Sequence, residues 1–195
     1  FLSDLSGVQK LTRSRHKSAA WHHFHALHEA VAVGKPYNMQ DFTALVREPG
    51  FASLTASDLL YTRESWDLLV RLYRLHAPQE SFVDFFWTYR FTYLPIFAIF
   101  EAMLPPARVY HAVSTGFCGL LGSLARMRTG RPFLLTEHGI YTREREIEIA
   151  QSTWISQLTA NHRQPSQRLG FFQQWWLNIY RFMERVTYQM ADSII

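Results

Sequence analysis

The residues best equipped for chemistry stand together in one run, Thr136-Glu137-His138-Gly139-Ile140-Tyr141-Thr142-Arg143-Glu144-Arg145. An imidazole near its own pKa can give or take a hydrogen bond and changes charge close to neutral pH. Paired guanidinium groups offer planar donor forks suited to carboxylate or phosphate oxygens. Gly139 leaves the backbone open to close approach. These types suit a polar, often anionic substrate. A second polar set, Ser114-Thr115-Gly116, closes the run His111-Ala112-Val113-Ser114-Thr115-Gly116. There Gly116 would admit a ligand or a neighbouring segment.

For the two sets to act together, regular elements must bring them to one place. The apolar pattern predicts a strand over 108–113, a tight turn at 114–116 and a helix over 117–127. Leu120, Leu121 and Leu124 share a face of that helix, and Gly130 closes it. A second strand follows over 131–136. Strand, turn, helix and strand within about 30 residues make a βαβ unit. Parallel strands put both polar ends on the same sheet edge, where open α/β sheets bind ligands. The turn at 114–116 also opens a helix, whose N–H groups and positive dipole end would face the crevice. A plainer alternative is that Ser114 and Thr115 cap a helix and Gly139 turns the chain. Arg143 and Arg145 would begin the next helix, 143–158, where cations oppose the dipole. Either an anionic ligand or Glu144, Glu146 and Glu148 would balance them. Ile147, Gln151, Trp154, Ile155 and Leu158 are expected along one side of it. A loop over 161–170, a helix over 171–190 and the start of a strand over 191–195 complete the pattern.

The first half reads differently. Helices are expected over 18–33, with Ser18 as cap and Gly34 and Pro36 as stop, and over 41–46. Another runs over 58–75, capped by Thr55 or Ser57, with Leu59, Leu60, Trp66, Leu69, Val70 and Tyr73 at helical spacing. A long aromatic stretch over 80–103 should be helical, kinked or broken at Pro95. The expectation is therefore a helical block over 1–105 and a partial Rossmann-like parallel sheet over 106–195. Two strands and a stub are too few for a complete doubly wound sheet, so the chain is expected to continue on both sides.

Other features read more plainly. His22, His23, His25 and His28 lack a fourth convergent ligand and read as a solvated helix face rather than a metal site. Cys118, near a helix start, reads as a small core residue rather than an activated thiolate. Most of the aromatics from Phe82 to Phe100, with Phe171, Phe172, Trp175 and Trp176, are expected inside the helical block.

Composition narrows the classes. Apolar residues are 48% and aromatics 15% of 195 residues, the balance of an ordered globular protein. The net charge is +4, with 20 basic and 16 acidic residues. Arg13, Arg15 and Lys17 form only a short basic cluster, so no nucleic-acid partner is indicated. One cysteine permits no internal disulfide, which fits a reducing compartment. No apolar run is long enough to cross a membrane.

The motifs His111-Ala112-Val113-Ser114-Thr115-Gly116, Leu120-Leu121-Gly122, Arg128-Thr129-Gly130-Arg131-Pro132, Glu137-His138-Gly139-Ile140-Tyr141-Thr142-Arg143-Glu144-Arg145 and Ile147-Glu148-Ile149 resemble the PelF-type glycosyltransferases of Pel exopolysaccharide biosynthesis. These are retaining enzymes of glycosyltransferase family 4 with a GT-B fold, and the specific resemblance covers about residues 108 to 150. It implies the N-terminal, acceptor-side domain of a hexosyltransferase, with a large helical insertion in the sheet domain. The donor would be a UDP-sugar, used as substrate, with no metal and no other cofactor. His138 would meet the transferred sugar as the catalytic residue. Glu137 and Gly139 would shape the pocket, and Ser114, Thr115 and Gly116 would line the same edge. Tyr141, Arg143 and Arg145 would face acceptor or phosphate. The resemblance also implies a cytoplasmic protein at the inner membrane beside exopolysaccharide synthase proteins, working in biofilm formation. The donor-phosphate turn and the donor-binding domain would lie outside this chain. Two alternatives remain: a non-catalytic module docking onto the membrane synthase, and a catalytically dead paralogue.

Overall fold

The computed structural model describes residues 15–35, 37–47, 54–152 and 169–195. Among the described residues five helices precede the first strand: α1 (Arg15–Ala32), α2 (Met39–Arg47), α3 (Ala56–Tyr61), α4 (Arg63–His76) and α5 (Phe82–Glu101). Then come β1 (Tyr110–Ala112), α6 (Gly116–Thr129), β2 (Phe133–Leu135), α7 (Tyr141–Gln151), α8 (Phe171–Met190) and β3 (Ser193–Ile194).

Helix α1 buries Trp21, Phe24, Leu27, His28 and Val31, the repeat of one helical face. It ends as expected at Gly34, where the Gly34 and Lys35 N–H groups donate back to Val31 and Ala30 at 3.0 and 2.8 Å. The single helix expected over 58–75 is in fact two, because Thr62 is extended at φ −89° and ψ 153°. Its N–H closes α3 on Asp58, while its hydroxyl accepts from Ser65 N and so starts α4. Thr55 is the cap of α3, in a reciprocal capping box with Asp58. Both ends of this six-residue helix are tied to α5: Ala56 N donates to Glu101 at 2.7 Å, and Arg90 donates to the Leu60 carbonyl at 3.0 Å.

Helix α5 runs unbroken through Pro95, against the expected break. Pro95 and Phe91 both lie on its exposed side, where water can take the carbonyl that loses its donor. Its inner face is aromatic as expected, with Phe85, Tyr89, Tyr93, Phe97 and Phe100 buried. Trp87 and Phe91 instead stack on each other in solvent, with centroids 5.7 Å apart.

The second half is α/β. The strands form one parallel sheet in the order β1-β2-β3, so the predicted βαβ unit and the terminal strand are both present. Tyr110 pairs with Phe133, Ala112 with Leu135, and Leu134 with Ser193. Asp192 fixes the entry to β3: its carboxylate accepts from Phe133 N at 2.8 Å and from Arg126 at 2.9 and 3.0 Å. One apolar core runs through residues of both halves, from Trp21 and Phe97 to Leu124, Trp175 and Met183. Helix α8 lies at its centre, packed on α1, α5, α6 and α7.

Several expectations about single residues are corrected. Cys118 is exposed, on the side of α6 away from the core. His28 is buried among Phe24, Tyr89, Tyr93 and Trp175, because the inward stripe of α1 passes through it. On α7 the inward residues are Thr142 and Ile149, while Ile147 and Gln151 face out, since the helix begins at Tyr141 and its phase follows that start. Trp66 on α4 is exposed, and Leu68 and Leu72 are buried in its place. Trp154, Ile155, Leu158, Arg13 and the side chains of His22, His23 and Leu59 lie outside the described residues. Among the described residues no helix is long and apolar enough to cross a membrane.

Candidate active site

The turns after β1 and β2 meet, and Glu137 joins them. Thr136 N donates to the Ala112 carbonyl at 2.9 Å, which carries the parallel pairing past β2. Glu137 N donates to the Ile195 carbonyl at 2.9 Å, so the segment Thr136-Glu137 is held from both neighbouring strands. Its carboxylate then accepts from the Thr115 hydroxyl and from Tyr141 N, each at 3.3 Å. Thr115 is the N-cap position of α6, yet its hydroxyl serves Glu137 rather than the helix. Ile140 caps α7 without a side-chain bond, so the Glu137 carboxylate takes that role by holding Tyr141 N. One anion thus sits beside the positive ends of two helices, a favourable placement.

The second Glu137 oxygen accepts a short hydrogen bond from the Tyr188 hydroxyl. Burial first, and then this bond to Glu137, push the Tyr188 phenol above the ordinary tyrosine range. Tyr188 therefore keeps its proton and stays a donor.

Gly116 has φ +77°, and a Cβ there would stand 2.8 Å from the Tyr141 ring. The close approach that glycine permits is thus taken by Tyr141. The Tyr141 ring also meets Tyr180 edge-on at 5.8 Å and lies 5.0 Å from the Arg145 guanidinium. Arg145 pairs with Glu148, three residues along. Gly139 has the Glu144 carboxylate where its Cβ would be, 2.6 Å away. Ser114 is half-buried in the first turn. His138 is exposed at the tip of the second, and among the described residues its ring has no hydrogen bond or ion pair.

So the structure draws Thr115, Gly116, Glu137 and Tyr141 together and leaves His138 on their rim. It separates the two arginines. Arg145 turns toward Tyr141, whereas Arg143 enters a groove of about 690 Å³ between the start of α7 and the second half of α8. Glu146, Arg181, Glu184, Arg185 and Tyr188 form much of its wall. Arg181 pairs with Glu146 at 3.3 Å. Sequence reasoning missed this wall. Its signal was present: Arg181, Glu184, Arg185 and Tyr188 recur at three- and four-residue steps along the second half of one helix.

Among the described residues no group of histidine, cysteine or acidic side chains could hold a metal ion. What the site offers is a rim imidazole over a fixed carboxylate, two helix N-termini and a guanidinium-bearing groove. That combination can hydrogen-bond a polyhydroxylated ligand and stabilise negative charge.

A family described as a domain of unknown function, DUF3492, matches residues 2–195, and the chain belongs to it. No curated protein and no solved structure matches the chain.

Proposed function

We propose that this DUF3492 domain is the N-terminal, acceptor-side part of a retaining GT-B glycosyltransferase. In this reading it moves a sugar from a UDP-linked donor to a growing bacterial exopolysaccharide. The work is cytoplasmic, beside inner-membrane synthase proteins. The observation that carries the proposal is the junction of two strand-end turns through Thr115, Glu137 and Tyr141, with His138 exposed above it. The parallel β1-α6-β2 unit with β3 beside it supports a Rossmann-like domain. The motif resemblance over about residues 108 to 150 supports the class of enzyme.

Transfer builds charge on the leaving diphosphate and on the sugar carbon, and preorganised dipoles lower that barrier. Here the α6 and α7 N-termini are aimed at the same edge. Glu137 has both oxygens engaged by Thr115, Tyr141 N and Tyr188, so its part is to hold the turn, not to attack the sugar. His138 is unencumbered and can bind a sugar hydroxyl and fix the reacting geometry. Front-face transfer, which needs no protein nucleophile, suits such a site.

The test is His138→Ala in the full-length protein, assayed for sugar transfer and for donor hydrolysis. Loss of an orienting contact should lower both by about 100-fold or more, with an unchanged circular dichroism spectrum. Undiminished turnover would remove His138 from the reaction.

A second reading, a docking module for the membrane synthase, is favoured by the exposed aromatics Trp87 and Phe91, 51% and 60% accessible. Replacing both with serine should then release the protein from inner-membrane fractions that contain the synthase. Retention at the membrane would count against docking through α5.

A further inference from the structure

The charges around the α7–α8 groove do not cancel pair by pair. Arg143 stands in the first turn of α7, where a cation is opposed by the helix dipole. The glutamates that could offset it are committed elsewhere: Glu146 to Arg181, Glu148 to Arg145, and Glu144 folded over Gly139. Glu137 is held by Thr115, Tyr141 N and Tyr188. Arg185, on the facing wall, is exposed and makes no ion pair among the described residues. Against these two open guanidiniums the wall carries one carboxylate without a cation among the described residues, Glu184. Thr142, also in the wall, is 5% accessible, and its hydroxyl is buried with no hydrogen-bond partner among the described residues. An unused hydroxyl beside a helix N-terminus, with guanidiniums from two helices, is the donor set that oxyanions select.

We propose that the groove between α7 and α8 binds a phosphomonoester, gripped by Arg143 and Arg185. Arg181, held by Glu146, keeps the wall between them in place. Two guanidiniums can share the oxygens and the double negative charge of a phosphoryl group, whereas a monovalent carboxylate satisfies one fork, and Glu184 can accept a hydroxyl next to the phosphoryl group. The grip itself asks nothing of His138, which does not line the groove. It would serve a phosphorylated substrate or a phosphorylated effector equally.

The test is calorimetric titration of the full-length protein, at low ionic strength, with glucose 1-phosphate, glucuronate and glucose. Glucose 1-phosphate should bind at least tenfold more tightly than either of the others. The double variant Arg143→Gln/Arg185→Gln should weaken it at least tenfold, and His138→Ala should leave it unchanged. Glu184→Gln, which removes the opposing carboxylate, should tighten it; this arm keeps the proposal open to refutation if the double variant does not fold. Equal affinity for glucose or glucuronate, binding that survives the double variant, or binding that disappears with His138→Ala would each overturn it. Because His138→Ala is read on phosphate affinity here and on turnover above, either proposal can fail without the other.

Discussion

The His28 ring lies 4.3 Å from Tyr93 and within 6 Å of Phe24, Tyr89 and Trp175, centroid to centroid. Neither ring nitrogen has a hydrogen-bond partner among the described residues. Burial, helped by the nearby His25 and His76, holds its pKa well below the ordinary histidine value. An unfolded histidine gains its proton near pH 6.5. The folded one stays neutral well below that. The unfolded state therefore binds one more proton as pH falls through 6.5, and stability is lost in that direction at up to about 1.4 kcal/mol per pH unit. Above that pH His28 contributes no pH dependence. His28→Phe should remove this share of the acid sensitivity. Urea unfolding at pH 7.5 and 5.5 measures it: the loss in the variant should be smaller by about 1 kcal/mol, and an identical loss would show that His28 does not titrate on unfolding. The same scale separates His138 from His28. One is exposed on a turn and the other sealed in the core, and only the first is placed to meet a ligand.

Helix α6 shows how an element is fitted to its neighbours. A Cβ at Gly122 would lie 2.2 Å from the Phe133 ring, which is fully buried in β2. One at Gly119 would lie 2.4 Å from Thr187 of α8. These glycines set how near α6 comes to the sheet and to α8, and hence where the 114–116 turn stands against Glu137. Gly122→Ala would gain helix propensity of about 1 kcal/mol. It must also displace a ring that has nowhere to go, and such overpacking costs about 1–3 kcal/mol. We expect a net loss of stability, seen as a lower midpoint in thermal or denaturant unfolding, together with weaker sugar transfer in the full-length protein. A variant as stable as the parent would show that β2 yields easily to α6.

At the scale of the molecule, α8 holds the two halves together. Trp175 donates to Thr92 of α5 at 2.9 Å, Asn178 donates to the Ala32 carbonyl at the end of α1, and Tyr188 reaches Glu137. The helix that buries Trp175 and Met183 in the shared core thus carries Arg181, Glu184, Arg185 and Tyr188 on its polar stripe. Its apolar face sets the position of the groove wall. The exposed Trp87 and Phe91 lie on α5, which packs on α8 through its other face, so docking through α5 would leave the strand-end turns open.

Much of this was legible in the residues themselves. The Gly34 stop marked α1, aromatic-rich stretches marked α5 and α8, and strand and turn grammar marked β1, α6, β2 and the short β3, because these patterns are local. The parallel order follows from the βαβ connection, so the adjacency of the 114–116 and 136–140 turns was also legible. Three things were decided only by the fold. Thr62 splits a continuous apolar pattern, since its hydroxyl can close one helix and open the next. Whether His28 or Cys118 faces inward depends on helix phase against the core, which a stripe of mixed residues does not reveal. Tyr188 as the partner of Glu137, and the arginines that face Arg143, are contacts across about 40 to 50 residues. Such pairs are set by how α8 packs against α7 and the sheet, a choice made by the whole core rather than by any one segment.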